Sequence, residues 1–208
     1  KQQDLDLLKV FSQYLTQSMQ LMMEAKRQED VALKDHLTGL YNDRYLYSYL
    51  TRMIKECLEY QHDLGLIFLD LDHFKAVVDT HGHLIGSQAL AEIGRMIGQV
   101  ASKYGAVCAR YGGDEFCLLM PHTSVDAAMQ VALRIVEAFR SRLAEHELGD
   151  VPLDVSIGIS HSELSNPTCA EELVHHADQA MYAAKSSKNE GPRVMLRGAT
   201  GSMGRLAA

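Results

Sequence analysis

Hydrophobic and polar positions follow two different rhythms along this chain. Between Asp4 and Lys34 there is no Gly or Pro, and Leu8, Phe11, Leu15, Ser18, Met22 and Ala25 recur at alternating steps of three and four. That spacing predicts an amphipathic helix with a heptad-like seam. The helix either lies on its own domain or pairs with a second copy as a parallel two-helix stalk carrying a signal from an upstream module. Met19, Met22 and Met23 read as packing residues of this helix.

Beyond Asp35, helical patterns alternate with short apolar runs. A helix is predicted from about Asn42 to Tyr60. Leu64 to Leu71 is a continuous apolar run ending in carboxylates and reads as a buried strand. A helix from Ser87 to Lys103 returns the chain, and Ala106 to Met120 reads as a β-hairpin turning at Gly112 and Gly113. Ser124 caps a helix to about Glu145, and Leu153 to Ser160 alternates as a strand. Thr168 with Glu171 forms a capping-box signature for a helix to Lys188, and a last strand covers Arg193 to Leu196. This β-α-β-β-α-β order predicts an α+β, ferredoxin-like domain, with an antiparallel sheet and helices on one face. The divisions are a signalling helix over 1–34, a domain over 35–197 and a flexible tail over 198–208.

Composition narrows the function. Of the 208 residues, 27 are acidic and 20 basic, a net charge of −7 that disfavours a broad surface for long nucleic acid. A small anion held in one pocket is still compatible with it. Cys57, Cys108, Cys117 and Cys169 show no CxxC spacing and sit in apolar runs, so buried reduced thiols are expected, in keeping with a cytoplasmic setting. No apolar run approaches the roughly 18 residues that span a bilayer, so no direct membrane contact is expected of this segment. The chain starts at Lys1 rather than Met, which reads as a piece of a longer protein whose upstream sensor domain is missing.

The residues with candidate chemistry gather at one predicted sheet edge. Asp70 and Asp72 end the apolar strand, while Asp114 and Glu115 sit at the hairpin turn. Like charges this close repel unless a hard cation neutralises them, and Mg²⁺ takes one or two carboxylates plus phosphate oxygens. The cluster therefore points to a nucleoside triphosphate. Gly112 and Gly113 would let backbone approach the phosphates, with Lys75 and Lys185 supplying positive charge. Taken singly, an Asp at a strand end is a loop cap and Gly-Gly is a turn.

The run Arg110-Tyr-Gly-Gly-Asp-Glu-Phe116 reproduces the signature of the GGDEF family of diguanylate cyclases, and the resemblance extends from Asp35 to Lys185. Asp35-His-Leu-Thr-Gly-Leu-Tyr-Asn42 resembles the family's opening motif. Asp70-Leu-Asp-His-Phe-Lys75 and Asp79-Thr-His-Gly-His83 resemble its metal and phosphate segment. Val155-Ser-Ile-Gly-Ile159 and Ala177-Asp-Gln-Ala-Met-Tyr-Ala-Ala-Lys185 resemble its closing segments. The resemblance implies a palm-type domain, active as a homodimer, in which each 3′-hydroxyl attacks the α-phosphate of the opposite nucleotide and pyrophosphate leaves. It further implies that Asp70, Asp114 and the Leu71 carbonyl hold Mg²⁺ or Mn²⁺, and that Glu115 is a metal-site acid or the base for the 3′-hydroxyl. His73 and Phe74 would offer backbone amides to the phosphates, with Lys75 and Lys185 as side-chain partners. Arg110 is expected to brace the hairpin against Asp35, and His81 and His83 to pack rather than ligate.

Three departures from the family pattern stand out. Its guanine-reading Asn and Asp positions hold Val78 and Ser87 here. An ionised Asp accepts from guanine but has no donor for adenine N1, whereas a serine hydroxyl donates or accepts. The chain thereby resembles the hybrid, promiscuous subgroup that joins GTP with ATP into cyclic GMP-AMP. The alternatives are a strict diguanylate cyclase making cyclic di-GMP, or a module that binds nucleotide without turnover. Where many members carry the Arg-x-x-Asp product site, this chain has Lys103-Tyr-Gly-Ala106, so weak product inhibition is expected. Lys188-Asn189-Glu190 replaces Gly-Arg-Asn, removing one expected triphosphate contact.

Overall fold

The computed structural model describes residues 2–145, 153–186, 194–197 and 203–205. The chain falls into two units, Lys1–Lys34 and Asp35–Ala208. The first is a single helix, α1 (Gln2–Ala32). Phe11, Leu15, Met19, Met22 and Met23 on it are all exposed in the single chain.

The second unit runs β1 (Tyr41–Asn42), α2 (Asp43–Tyr60), β2 (Leu64–Asp72), α3 (Phe74–Lys103), β3 (Val107–Gly112), β4 (Glu115–Pro121) and α4 (Val125–Glu145). It continues with β5 (Asp154–His161), α5 (Ser162–Ser165), α6 (Ala170–Ser186), β6 (Val194–Arg197) and β7 (Met203–Arg205). One seven-stranded sheet has the order β1-β3-β4-β2-β5-β6-β7. Each of its four central strands is antiparallel to its neighbour, in the ferredoxin-like order, while β1 joins β3 and β6 joins β5 in parallel.

Every residue of β2 is buried, and a strand buried on both faces requires a layer on each. Ile67, Leu69 and Leu71 face one cluster, with Phe74, Val77 and Ile93 of α3 and Val131, Ile135 and Phe139 of α4. Leu64, Leu66 and Phe68 face the other, with Leu46, Leu50 and Met53 of α2 and Leu173, Ala177 and Met181 of α6. The expectation of helices on one face holds only for α3 and α4. The additional helices α2 and α6 cover the opposite face, as the unbroken apolar run of β2 demands. Each fully buried Leu or Phe in these layers contributes roughly 1.5–3 kcal/mol.

Local chemistry sets the element ends. The Asn42 side chain accepts from Tyr45 N–H at 3.0 Å, so Asn42 caps α2 rather than opening it. The helix expected from Ser87 begins thirteen residues earlier, at Phe74, and is broken at Gly82 (φ 82°, ψ 165°), a conformation that favours glycine. At α6 the Thr168 amide and hydroxyl both donate to Glu172 rather than Glu171, 2.7 and 3.0 Å away. The segment read as a flexible tail contains β7, which pairs antiparallel with β6. Cys108 and Cys117 are buried as expected and all four thiols are free, but Cys57 is half-buried and Cys169 exposed. Lys188-Asn189-Glu190 lies outside the described residues.

Candidate active site

Alternation along β2 carries Asp70 and Asp72 onto the same face as Leu66 and Phe68, towards α2 and α6. Asp70 is opposite Glu115 on β4 and Ser156 on β5. The Leu71 amide donates to the Asp114 carbonyl at 3.3 Å, tying the hairpin tip to the strand that carries Asp70. The acidic residues from the strand end and from the turn thus come together.

The tip itself is held from behind. Arg110 Nε and Nη2 donate to the Gly113 carbonyl at 3.0 and 2.7 Å, and Nη1 reaches the Asp35 carboxylate at 3.1 Å. Burial pushes the Asp35 carboxyl up, but hydrogen bonds from Thr38 and the charge of Arg110 outweigh it, and its pKa falls below the ordinary value. Arg110 therefore braces the hairpin against Asp35. Gly113 has φ 50°, and the ladder shifts register between Arg110 and Gly112. A Cβ at Gly112 or Gly113 would meet nothing within 4 Å. Space remains beside this backbone that the protein does not fill.

On the opposite side α6 is seated against β5. At Gly158 an added Cβ would lie 2.0 Å from the Ala177 carbonyl oxygen and 2.1 Å from Met181 N, so only glycine admits the helix. Lys185 follows Met181 by four residues, about one turn, and its Nζ lies 2.5 Å from Asp70 Oδ1 and 3.9 Å from Asp72 Oδ1. Asp72 is buried and accepts from Ser156 Oγ at 2.7 Å.

Charge in the cluster is imbalanced. Burial, then the negative charge of Asp70, raises the Asp114 pKa, with Lys185 and Arg110 opposing. Glu115 is raised by burial, then by Asp70, Asp114 and Asp178, with Lys185 opposing. The Lys185 pKa is itself raised, since hydrogen bonding and attraction from Asp70 exceed the opposing effect of burial. A set of hard oxygen ligands that repel one another, beside an open glycine-lined space, fits a divalent cation and a phosphate.

Residues 32–191 match the family described as "Diguanylate cyclase, GGDEF domain". The chain belongs to that family. It is 32% identical over 164 residues to the probable diguanylate cyclase DgcC of Escherichia coli K12, covering 78% of this chain and 43% of that protein. It is 33% identical over 164 residues to the response regulator PleD of Caulobacter vibrioides NA1000, covering 76% of this chain and 35% of PleD. The chain thus spans less than half the length of these curated relatives. Among solved structures, the coiled coil and GGDEF domain of DgcB from Caulobacter crescentus, in complex with c-di-GMP, superposes with a TM-score of 0.79 at 27% identity. That match covers 91% of this chain and 98% of the DgcB chain.

Other expected residues of the GGDEF domain lie on or beside α3. His73, in the left-handed region at φ 63°, precedes α3, and the Phe74 ring is buried, leaving only its backbone for a ligand. Lys75 is exposed. Across the break at Gly82, Val78 returns against Gly86, where a Cβ would lie 2.7 Å from Val78 Cγ2. This brings Val78 beside the turn that carries Ser87, both half-buried. His81 and His83 are exposed, against the packing expected of them. Sequence reading assigned no role to Ser156, Gly158 or Asp178. The i, i+2 rule applied from Asp70 across the β2–β5 register points to Ser156, and the small residue two further along marks where α6 approaches.

Proposed function

We propose that this chain is a nucleotidyltransferase that condenses two purine nucleoside triphosphates into a 3′,3′-cyclic dinucleotide. Cyclic GMP-AMP from GTP and ATP is the favoured product, with cyclic di-GMP also formed. The observation that carries the reading is the convergence of Asp70, Asp114 and Glu115 with Lys185 at one sheet edge. Asp70, Asp114 and the Leu71 carbonyl would hold Mg²⁺, or Mn²⁺ in its place. Bound there, the ion supplies charge neutralisation on the phosphates.

The chain's own groups do the remainder. Glu115, whose pKa burial and its acidic neighbours push up, is suited to take the proton of the attacking 3′-hydroxyl. That oxygen then forms the new bond to the α-phosphorus as pyrophosphate leaves, and repetition on the opposite nucleotide closes the ring. Lys185 exchanges Asp70 for a phosphate oxygen, with Asp72 close enough to keep the ammonium in place. The backbone amides of His73 and Phe74, with Lys75, receive the outer phosphates. Two copies must face each other for this chemistry. The exposed Phe11, Leu15 and Met22 on α1 support pairing through a two-helix stalk, and the coiled coil named for the DgcB structure supports it further.

Val78 and Ser87 support the mixed-purine specificity, because a hydroxyl accepts either purine edge where a carboxylate would favour guanine. The test is mass spectrometry of products from equimolar GTP and ATP. Cyclic GMP-AMP should dominate, and Ser87→Asp should shift output to cyclic di-GMP. Cyclic di-GMP alone from the unaltered chain would reduce the reading to a strict diguanylate cyclase, the activity its named relatives favour. No product with either nucleotide would leave a binding module.

A further inference from the structure

At the end of the sheet remote from Asp70, three side chains with no part in the carboxylate cluster converge. Asp63 precedes β2, His161 closes β5, and Glu163 lies in α5. One ligand atom from each lies within 4.8 Å of the others. The β2–β5 register causes the meeting, because Gly65 pairs with His161 and so brings the start of one strand beside the end of the other. Asp63 is fixed from both sides: its carbonyl accepts from His122 N–H at 2.8 Å, and the neighbouring Leu64 N–H donates to Ser162 Oγ at 2.9 Å.

His161 is fully buried and is oriented as a ligating imidazole. Its Nε2 lies 2.7 Å from the Thr123 carbonyl oxygen. A carbonyl only accepts, so in the neutral ring Nε2 carries the proton and Nδ1 keeps its lone pair. Nδ1 accepts from the Glu163 amide at 3.2 Å as the N-cap of α5, so an ion bound at Nδ1 takes the place of that cap bond. Asp63 and Glu163 are exposed and able to adjust, and among the described residues neither pairs with a Lys or Arg. The two carboxylates, though not the buried His161, line a cavity of about 420 Å³ with Cys57, His62 and Ser162, so water reaches the cluster from their side.

We propose that Asp63, His161 and Glu163 form a binding site for a divalent transition-metal ion, with Zn²⁺ the best match to one imidazole nitrogen and two carboxylate oxygens. Imidazole selects Zn²⁺ and its neighbours over Mg²⁺, which prefers oxygen ligands and retains its waters. Five strand residues separate Gly65 from Asp70, about 17 Å at the rise of a β-strand, so this site is distinct from the Mg²⁺ cluster. The ion would clamp β2 to β5, the two strands whose other ends carry Asp70, Asp72 and Ser156. It would stabilise the domain by mass action.

The test uses the full chain, stripped with a chelator and titrated with Zn²⁺ by calorimetry in excess Mg²⁺, which occupies the carboxylate cluster. Co²⁺ serves as a visible-absorption probe. One Zn²⁺ per chain should bind and raise Tm. Asp63→Asn and Glu163→Gln should each weaken binding by about tenfold or more and remove the Co²⁺ bands, while cyclic dinucleotide synthesis is unchanged. His161→Ala removes a fully buried side chain and so disturbs folding as well as binding, which leaves the two exposed carboxylates to carry the test. Zn²⁺ affinity equal in the unaltered chain and both variants, or a Tm indifferent to Zn²⁺, would overturn the proposal.

Discussion

Asp114 and Glu115 ionise less readily than ordinary carboxylic acids, because burial and the adjacent charge of Asp70 both resist a further negative charge. For a carboxyl raised in this way, the stabilising protonated form is fully present below the ordinary pKa and lost as pH rises through the folded value. At neutral pH without divalent ions, the ionised group therefore weighs against folding. Asp114→Asn is expected to raise the Tm of the metal-free chain, at about 2–4 °C per kcal/mol relieved in a domain this size, while reducing synthesis. A thermal scan in chelator checks it, and a lower Tm would contradict it. Asp35 behaves in the opposite sense. Its pKa is lowered in the folded state, so the stability it contributes is present above the ordinary 3.8 and lost as pH falls through the depressed value. Asp35→Asn should cost about 1–3 kcal/mol at neutral pH by stranding Arg110, and should flatten the acid limb of a denaturation series taken down to about pH 2.

At the scale of elements, α6 is placed by the absence of a side chain at Gly158. Gly158→Ala would force a Cβ into the helix backbone, so α6 must lift and carry Lys185 away from Asp70. About 3 kcal/mol of destabilisation is expected, with a further loss of synthesis in whatever fraction remains folded at low temperature. Denaturant melts paired with activity at matched folded fraction separate the two effects. Normal activity per folded molecule would show that the position of Lys185 does not matter.

This close approach was not legible in the sequence, because a glycine within a strand reads the same whether it bends, bulges or receives a helix. The continuous apolar run of β2 did disclose a buried strand, although helices were expected on one face only, and the carboxylates that end it marked the edge where the acidic groups converge. The part of α3 before the break at Gly82 was missed because it is short and ends at a glycine, so the helical spacing was legible only from Ser87 onward. The last strand read at Arg193–Leu196 is β6, one residue displaced, whereas β1 and β7 are too short for periodicity to mark, which is why the sheet margins and the true extent of the tail escaped reading.

For the whole molecule, the proposed chemistry requires two nucleotide-loaded copies to meet. Specific activity should therefore fall on dilution, and Phe11→Glu with Leu15→Glu on the exposed seam of α1 should deepen that fall. Activity independent of protein concentration, tracked beside sedimentation, would remove the paired-copy requirement. The account as a whole stands on acidic groups from β2 and the β3–β4 turn acting together around a divalent ion. The most direct measurement is cyclic dinucleotide formation from GTP and ATP with Mg²⁺, comparing the unaltered chain with Asp70→Asn and Glu115→Gln at equal folded fraction. Each substitution is expected to reduce the rate by about 10²–10³-fold, the scale of losing one group that stabilises a transition state. Rates within a fewfold of the unaltered chain for both would contradict the account.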